Sequence, residues 1–90
     1  MKSHTETRFW QFYDNLPEVV QRDADASYKL WQNNPQHPSL QFKRVDPQDP
    51  IYSVRVGRGY RSLGWREGDT ITWFWIGNHD EYERLLKRMR

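Results

Sequence analysis

The sequence predicts an α+β fold, with an N-terminal helical hairpin packed on a four-stranded, mainly antiparallel sheet and a short C-terminal helix. Three observations predict it. Apolar residues recur at helical spacing up to about residue 32 and at every second position from Leu40 onward. Turn residues punctuate the second half at short intervals, and a helical stripe returns after Gly77. Consecutive strands joined by short turns pair antiparallel, so helices and strands segregate along the chain.

Phe9, Phe12, Tyr13 and Leu16 fall at i, i+3, i+4 and i+7, which places a first helix from about Thr5 to Asn15. Pro17 breaks it and opens a second helix, from about Pro17 to Gln32, where proline suits the first turn and Glu18 suits the positive end of the helix. Val20, Ala24, Ser27 and Trp31 share one face, and Asn33-Asn34-Pro35 stops the helix. Leu40 and Phe42 alternate with Gln41 and Lys43 as a half-buried first strand, and the segment from Asp46 to Pro50 turns. Tyr52, Val54 and Val56 then alternate with Ser53 and Arg55. Gly57-Arg58-Gly59 closes this strand onto a partner with Arg61, Leu63 and Trp65 on one side. After Glu67-Gly68-Asp69, the segment from Thr70 to Ile76 is apolar on both faces from Trp73 onward, as a central strand covered twice requires. Asp80 to Met89 forms the last helix, with Leu85, Leu86 and Met89 inward and Lys87, Arg88 and Arg90 at its C-terminal end.

Ninety residues make one domain, residues 1–90, because two halves would each be too small to bury a core. A mean hydropathy of −1.10 and 29% charged residues by themselves fit a disordered chain, but 16% aromatic residues, five of them Trp, supply a core. No stretch approaches the roughly 20 apolar residues needed to cross a bilayer. The N-terminus has no apolar segment of the secretory kind, so a cytoplasmic location with no membrane partner is expected. The absence of cysteine excludes disulfides, thiolate zinc sites and cysteine nucleophiles. His4, His37 and His79 have no paired-ligand spacing, so neither a metal nor a cofactor is expected.

The net charge of +2 is unevenly placed. Residues 43–66 hold six cations (Lys43, Arg44, Arg55, Arg58, Arg61 and Arg66) against two acids, Asp46 and Asp49. Five of the six are arginines, whose guanidinium stays charged and forks onto phosphate oxygens. The same residues also fit a solvated strand face.

Three ordered segments resemble the RelE/ParE superfamily of type II toxin-antitoxin toxins. Asn34-Pro35-Gln36-His37-Pro38-Ser39-Leu40-Gln41-Phe42-Lys43 resembles that family's lead into its first strand. Tyr52-Ser53-Val54-Arg55-Val56-Gly57-Arg58-Gly59-Tyr60-Arg61 resembles its hairpin, and Ile76-Gly77-Asn78-His79-Asp80-Glu81-Tyr82 resembles its closing segment. The resemblance implies a sheet cupped against a helical hairpin, a basic concave surface and a cognate antitoxin protein. It leaves the activity open between cleavage of mRNA on the ribosome, inhibition of DNA gyrase without chemistry, and a non-toxic RNA-binding member.

Metal-independent RNA cleavage needs a base for the 2'-hydroxyl, a cation for the phosphorane and an acid for the leaving 5'-oxygen. By resemblance, Arg61 is the cation that stabilises the transition state. A structural alternative pairs it with Glu67 or Asp69 across the hairpin. His79 stands where cleaving relatives keep a histidine, and imidazole exchanges protons near neutrality without help. It also suits the cap or first turn of the last helix. Tyr82, one turn on, lies beside the site to stack on a base, or else packs. Lys43, Arg55 and Arg58 are the expected phosphate contacts; for Lys43 and Arg44, alternation puts only one on the site face, and Lys43 is taken by family position. His37 is expected to pack a loop. Cleaving relatives carry a second arginine shortly before the final tyrosine, and the segment from Asn78 to Glu81 has none. Of Trp65, Trp73 and Trp75, at least one is expected in the core, while another can serve as a stacking platform or antitoxin groove.

Overall fold

The computed structural model describes residues 1–89, so Arg90, placed by the sequence at the basic end of the last helix, lies outside the described residues. The elements are β1 (Lys2–Thr5), α1 (Thr7–Asp14), α2 (Glu18–Asn33), β2 (Lys43–Arg44), β3 (Ile51–Val56), β4 (Tyr60–Glu67), β5 (Thr70–Asn78) and α3 (His79–Met89), with a 3-10 turn at Pro38–Leu40. The α+β class holds, and the helices fall within a residue or two of the expected bounds.

The sheet has five strands rather than four, in the order β1-β5-β4-β3-β2. The additional strand is β1, which pairs parallel with β5 from Lys2 opposite Thr70 to Thr5 opposite Trp73. The helical hairpin and the meander separate the two strands in sequence, which permits parallel pairing where a tight turn does not. The first meander strand is also shorter than expected. Leu40 belongs to the 3-10 turn, and Gln41 at φ 45° takes the chain out of extended geometry before Lys43. Leu40 is nonetheless buried, so its apolar character marks core rather than strand.

Each face of the sheet has its own cluster. Phe9 from α1 and Trp31 from α2 pack with Val54, Val56, Ile71, Trp73 and Ile76. On the other face, Tyr82 and Leu86 of α3 pack with Ile51, Leu63 and Trp75. Gly64 pairs with Trp73 and Leu63 with Trp75, so Phe74 is the extra residue of a bulge that reverses the phase of β5. Trp73 therefore enters the first cluster and Trp75 the second. This accounts for a strand apolar on both faces. Trp65 remains 38% exposed.

The rings of α2 and the sheet meet edge to face, with Trp31 and Trp73 centroids 5.4 Å apart. Between α1, α2 and β1 an apolar cleft of about 240 Å³ stays open above these tryptophans. The Tyr13 hydroxyl donates to Asp25 at 2.9 Å across the helical hairpin.

Candidate functional site

The order of the sheet brings the basic segment together. Cross-strand pairing sets Lys43 beside Ser53 and Arg55 beside Arg61, and it sets Arg61 against Gly77 at the end of β5. Cross-strand partners share a face. This face is the one that carries α3, so the first turn of α3 stands at the C-terminal end of β5. The α3 start is fixed by a reciprocal cap: Glu81 N–H donates to Asn78 Oδ1 at 2.8 Å, and Asn78 N–H donates to Glu81 Oε1 at 3.2 Å. The His79 N–H donates to the Gly59 carbonyl at 2.8 Å, tying the helix to the hairpin turn. Asn78 is thus the cap and His79 a first-turn residue, which leaves the imidazole free of capping.

A cavity of about 400 Å³ opens here, lined by Gln41, Lys43, Arg44 and Val45 on one side and by Arg61, His79, Tyr82, Glu83 and Leu86 on the other. Arg61 is 6% exposed. Its Nε donates to Ser53 Oγ at 2.5 Å, Nη1 to Gln41 Oε1 at 3.0 Å and Nη2 to the Gln41 carbonyl at 3.0 Å. These acceptors are neutral oxygens, and the expected alternative of a pairing with Glu67 or Asp69 does not form. The guanidinium carbon lies 5.4 Å from the centre of the Tyr82 ring, within the range of cation–π attraction. Burial lowers the Arg61 pKa from the ordinary arginine value; Tyr82 counteracts this and the neighbouring Arg55 adds to it.

His79 sits at the mouth, its Nε2 3.3 Å from Glu83 Oε1 one turn along α3 and its ring 5.9 Å from that of Tyr82. Tyr82 is 4% exposed and packed in the second cluster, with the Arg61 guanidinium over its ring. The Arg44 Nε donates to the Asp46 carbonyl at 2.9 Å and Nη2 to the Gln48 carbonyl at 3.3 Å. Asp46 Oδ1 in turn accepts from the N–H groups of Gln48 and Asp49, both at 2.8 Å, and so sets that turn.

Lys43, Arg61, His79 and Tyr82 therefore converge on one cavity. Arg55 and Arg58 do not line it: Arg55 is half-buried with Nε bonded to the Gly57 carbonyl at 3.0 Å, and Arg58 is exposed in the hairpin turn. Both Lys43 and Arg44 reach the cavity, since a two-residue edge strand does not enforce strict alternation. Gln41, Ser53 and Glu83 were not singled out by sequence. Glu83 had a readable signal, being four residues from His79 on a helix. Gln41 and Ser53 had none, because their contacts with Arg61 depend on folding of the sheet. His37 Nδ1 accepts from the Ser39 N–H at 3.2 Å and serves the 3-10 turn.

A family profile described as a ParE-like toxin domain matches residues 18–84. Among solved structures, the chain is similar to one in the RelB-RelE antitoxin-toxin complex from Methanococcus jannaschii, with 18% identity over 91% of this chain and 96% of that one, at a TM-score of 0.72. It is also similar to the YoeB/ParE toxin from Agrobacterium tumefaciens, with 12% identity, 88% and 99% coverage and a TM-score of 0.68. A mutant of the E. coli toxin RelE in the free state is similar at 15% identity, 99% and 97% coverage and a TM-score of 0.64. At these identities the structural likeness speaks for the fold alone. No curated protein matches the chain.

Proposed function

Because the chain belongs to the ParE-like toxin domain family, and so to the toxins of RelE/ParE toxin-antitoxin systems, we propose that it is a metal-independent, ribosome-dependent mRNA endoribonuclease that inhibits translation. The observation that carries this reading is Arg61, a buried guanidinium bonded to neutral oxygens and lining a cavity with Lys43, Arg44 and His79. Arg61 is in none of the ion pairs among the described residues, and a desolvated positive charge held by neutral oxygens attracts an anion strongly.

In the proposed reaction the ribose 2'-oxygen attacks the adjacent phosphorus and the bond to the 5'-oxygen breaks, leaving a 2',3'-cyclic phosphate. One proton leaves the 2'-hydroxyl and one reaches the departing 5'-oxygen. Arg61 faces the phosphoryl oxygens and stabilises their growing charge. His79, whose Nε2 is engaged by Glu83, offers Nδ1 for proton transfer. Tyr82 acts on Arg61 from beneath and is a positioning residue. Lys43 and Arg44 hold neighbouring phosphates, and Arg55 and Arg58 are the next contacts along the RNA. A cognate antitoxin is the proposed protein partner. The cleft flanked by the exposed rings of Trp10 and Tyr28 favours a segment with an apolar face.

One observation favours a second reading, inhibition of DNA gyrase by the same surface: the segment from Asn78 to Glu81 supplies no arginine beside Tyr82. Purified protein added to ribosomes translating a defined mRNA separates the two. Primer extension should reveal discrete breaks with the wild type and their loss with His79→Ala. Intact mRNA, together with inhibited gyrase supercoiling, would establish the second reading.

A further inference from the structure

Gln41 is the only non-glycine residue with positive φ among the described residues. It stands between the 3-10 turn and β2, with φ and ψ both 45°. An L side chain is disfavoured in this conformation. The bend turns two oxygens of one residue onto Arg61: the backbone carbonyl accepts from Nη2 and the side-chain carbonyl from Nη1. Ser53 holds Nε, so the fork is fixed along its length.

Two acceptors on the two terminal nitrogens is the geometry with which a carboxylate usually grips arginine. Here both acceptors are neutral. A carboxylate in that place cancels the charge it orients, whereas amide oxygens orient the guanidinium and leave its charge for an incoming anion. Glu83, the acidic residue of the cavity wall, is engaged with His79.

We propose that Gln41 is the positioning residue of the cavity, and that its neutral amide keeps Arg61 in place with its charge available to a phosphate. This rests on the proposed function in taking that phosphate to be RNA and, for the cleavage rate read below, in taking that RNA to be cut. One methylene-conserving change tests the charge argument. Gln41→Glu supplies an ion pair to a buried arginine, so the melting temperature is not lowered. Affinity for a single-stranded RNA oligonucleotide nevertheless falls about ten- to a hundredfold, the equivalent of one hydrogen bond to a charged group. Gln11→Glu, the same change on the exposed side of α1, leaves that affinity unchanged.

Gln41→Gly provides the second variant. Glycine suits the backbone there and keeps the main-chain acceptor while removing the amide. Its cleavage rate falls while RNA affinity holds, because the fork loses orientation but not charge. A Gln41→Glu protein that binds RNA as tightly as the wild type, whatever its melting temperature, overturns the proposal, as does a Gln41→Gly protein of undiminished rate. Titration with inorganic phosphate, followed at the Arg61 Nε–H resonance by NMR, separates anion binding at Arg61 from RNA cleavage. A shift in the wild type that is absent in Gln41→Glu supports the clamp even where no RNA is cut. Equal shifts in both proteins overturn it.

Discussion

The proposed phosphate track makes a quantitative prediction about salt. Lys43, Arg44 and Arg61 line the cavity, so a short RNA of about four nucleotides, confined to it, engages three cations. For single strands each neutralised phosphate contributes about −0.7 to the slope of log affinity against log salt, so three give about −2. Raising salt from about 50 to about 200 mM then weakens binding about 20-fold. A longer RNA of about twelve nucleotides also reaches Arg55 and Arg58, and five contacts steepen the slope to about −3.5. Lys43→Ala removes one contact and should reduce the magnitude of both slopes by about 0.7, while Arg58→Ala should change only that of the longer RNA. Fluorescence anisotropy of labelled RNA measures each slope directly. A slope near zero, or one that Lys43→Ala leaves unchanged, refutes the reasoning.

Two further predictions concern the scaffold that holds the site. A Cβ at Gly64 would stand 2.7 Å from Ile71 Cγ1 and 2.8 Å from Trp73 Cε3, so Gly64→Ala overpacks the first cluster and should cost about 1–3 kcal/mol in urea unfolding; an unchanged midpoint would contradict the packing described. Burial and the Asp25 hydrogen bond raise the Tyr13 phenol above its ordinary 10.0, which makes its contribution to stability complete below pH 10.0 and lost as pH rises through the folded value. Thermal unfolding as a function of pH should therefore show an alkaline decline that is smaller in Tyr13→Phe; an equal decline in both proteins would remove Tyr13 as its source.

The periodic parts of the fold were legible because burial imposes period on sequence. Phe9 and Trp31 announced the helices, Val54 and Val56 announced β3, and each is buried as its spacing required. The strand β1 left no such trace. Its residues, Lys2, Ser3, His4 and Thr5, are mostly exposed at a sheet edge, and the partner strand lies far along the chain. The bulge at Phe74 was equally hidden, although its consequence, a strand apolar on both sides, could be read.

The same distinction divides the site. Arg61, His79 and Tyr82 lie on regular elements whose alternation and helical spacing place them together. What holds Arg61 was not readable, because Gln41 meets it across a turn and a strand pairing, and a glutamine beside a proline-rich turn has no periodic signature. The packing of Tyr82 follows from its position between Arg61 and the second cluster, the other of the two roles that its type and place suggested.

Mapping RNA ends in cells during toxin-induced growth arrest tests most directly the proposal that the cavity cuts RNA. New ends should appear at discrete positions within translated messages with the wild type and be absent with Arg61→Lys, which keeps the charge but loses the fork. Growth arrest with an unaltered map of RNA ends, accompanied by stalled gyrase–DNA complexes, would contradict it.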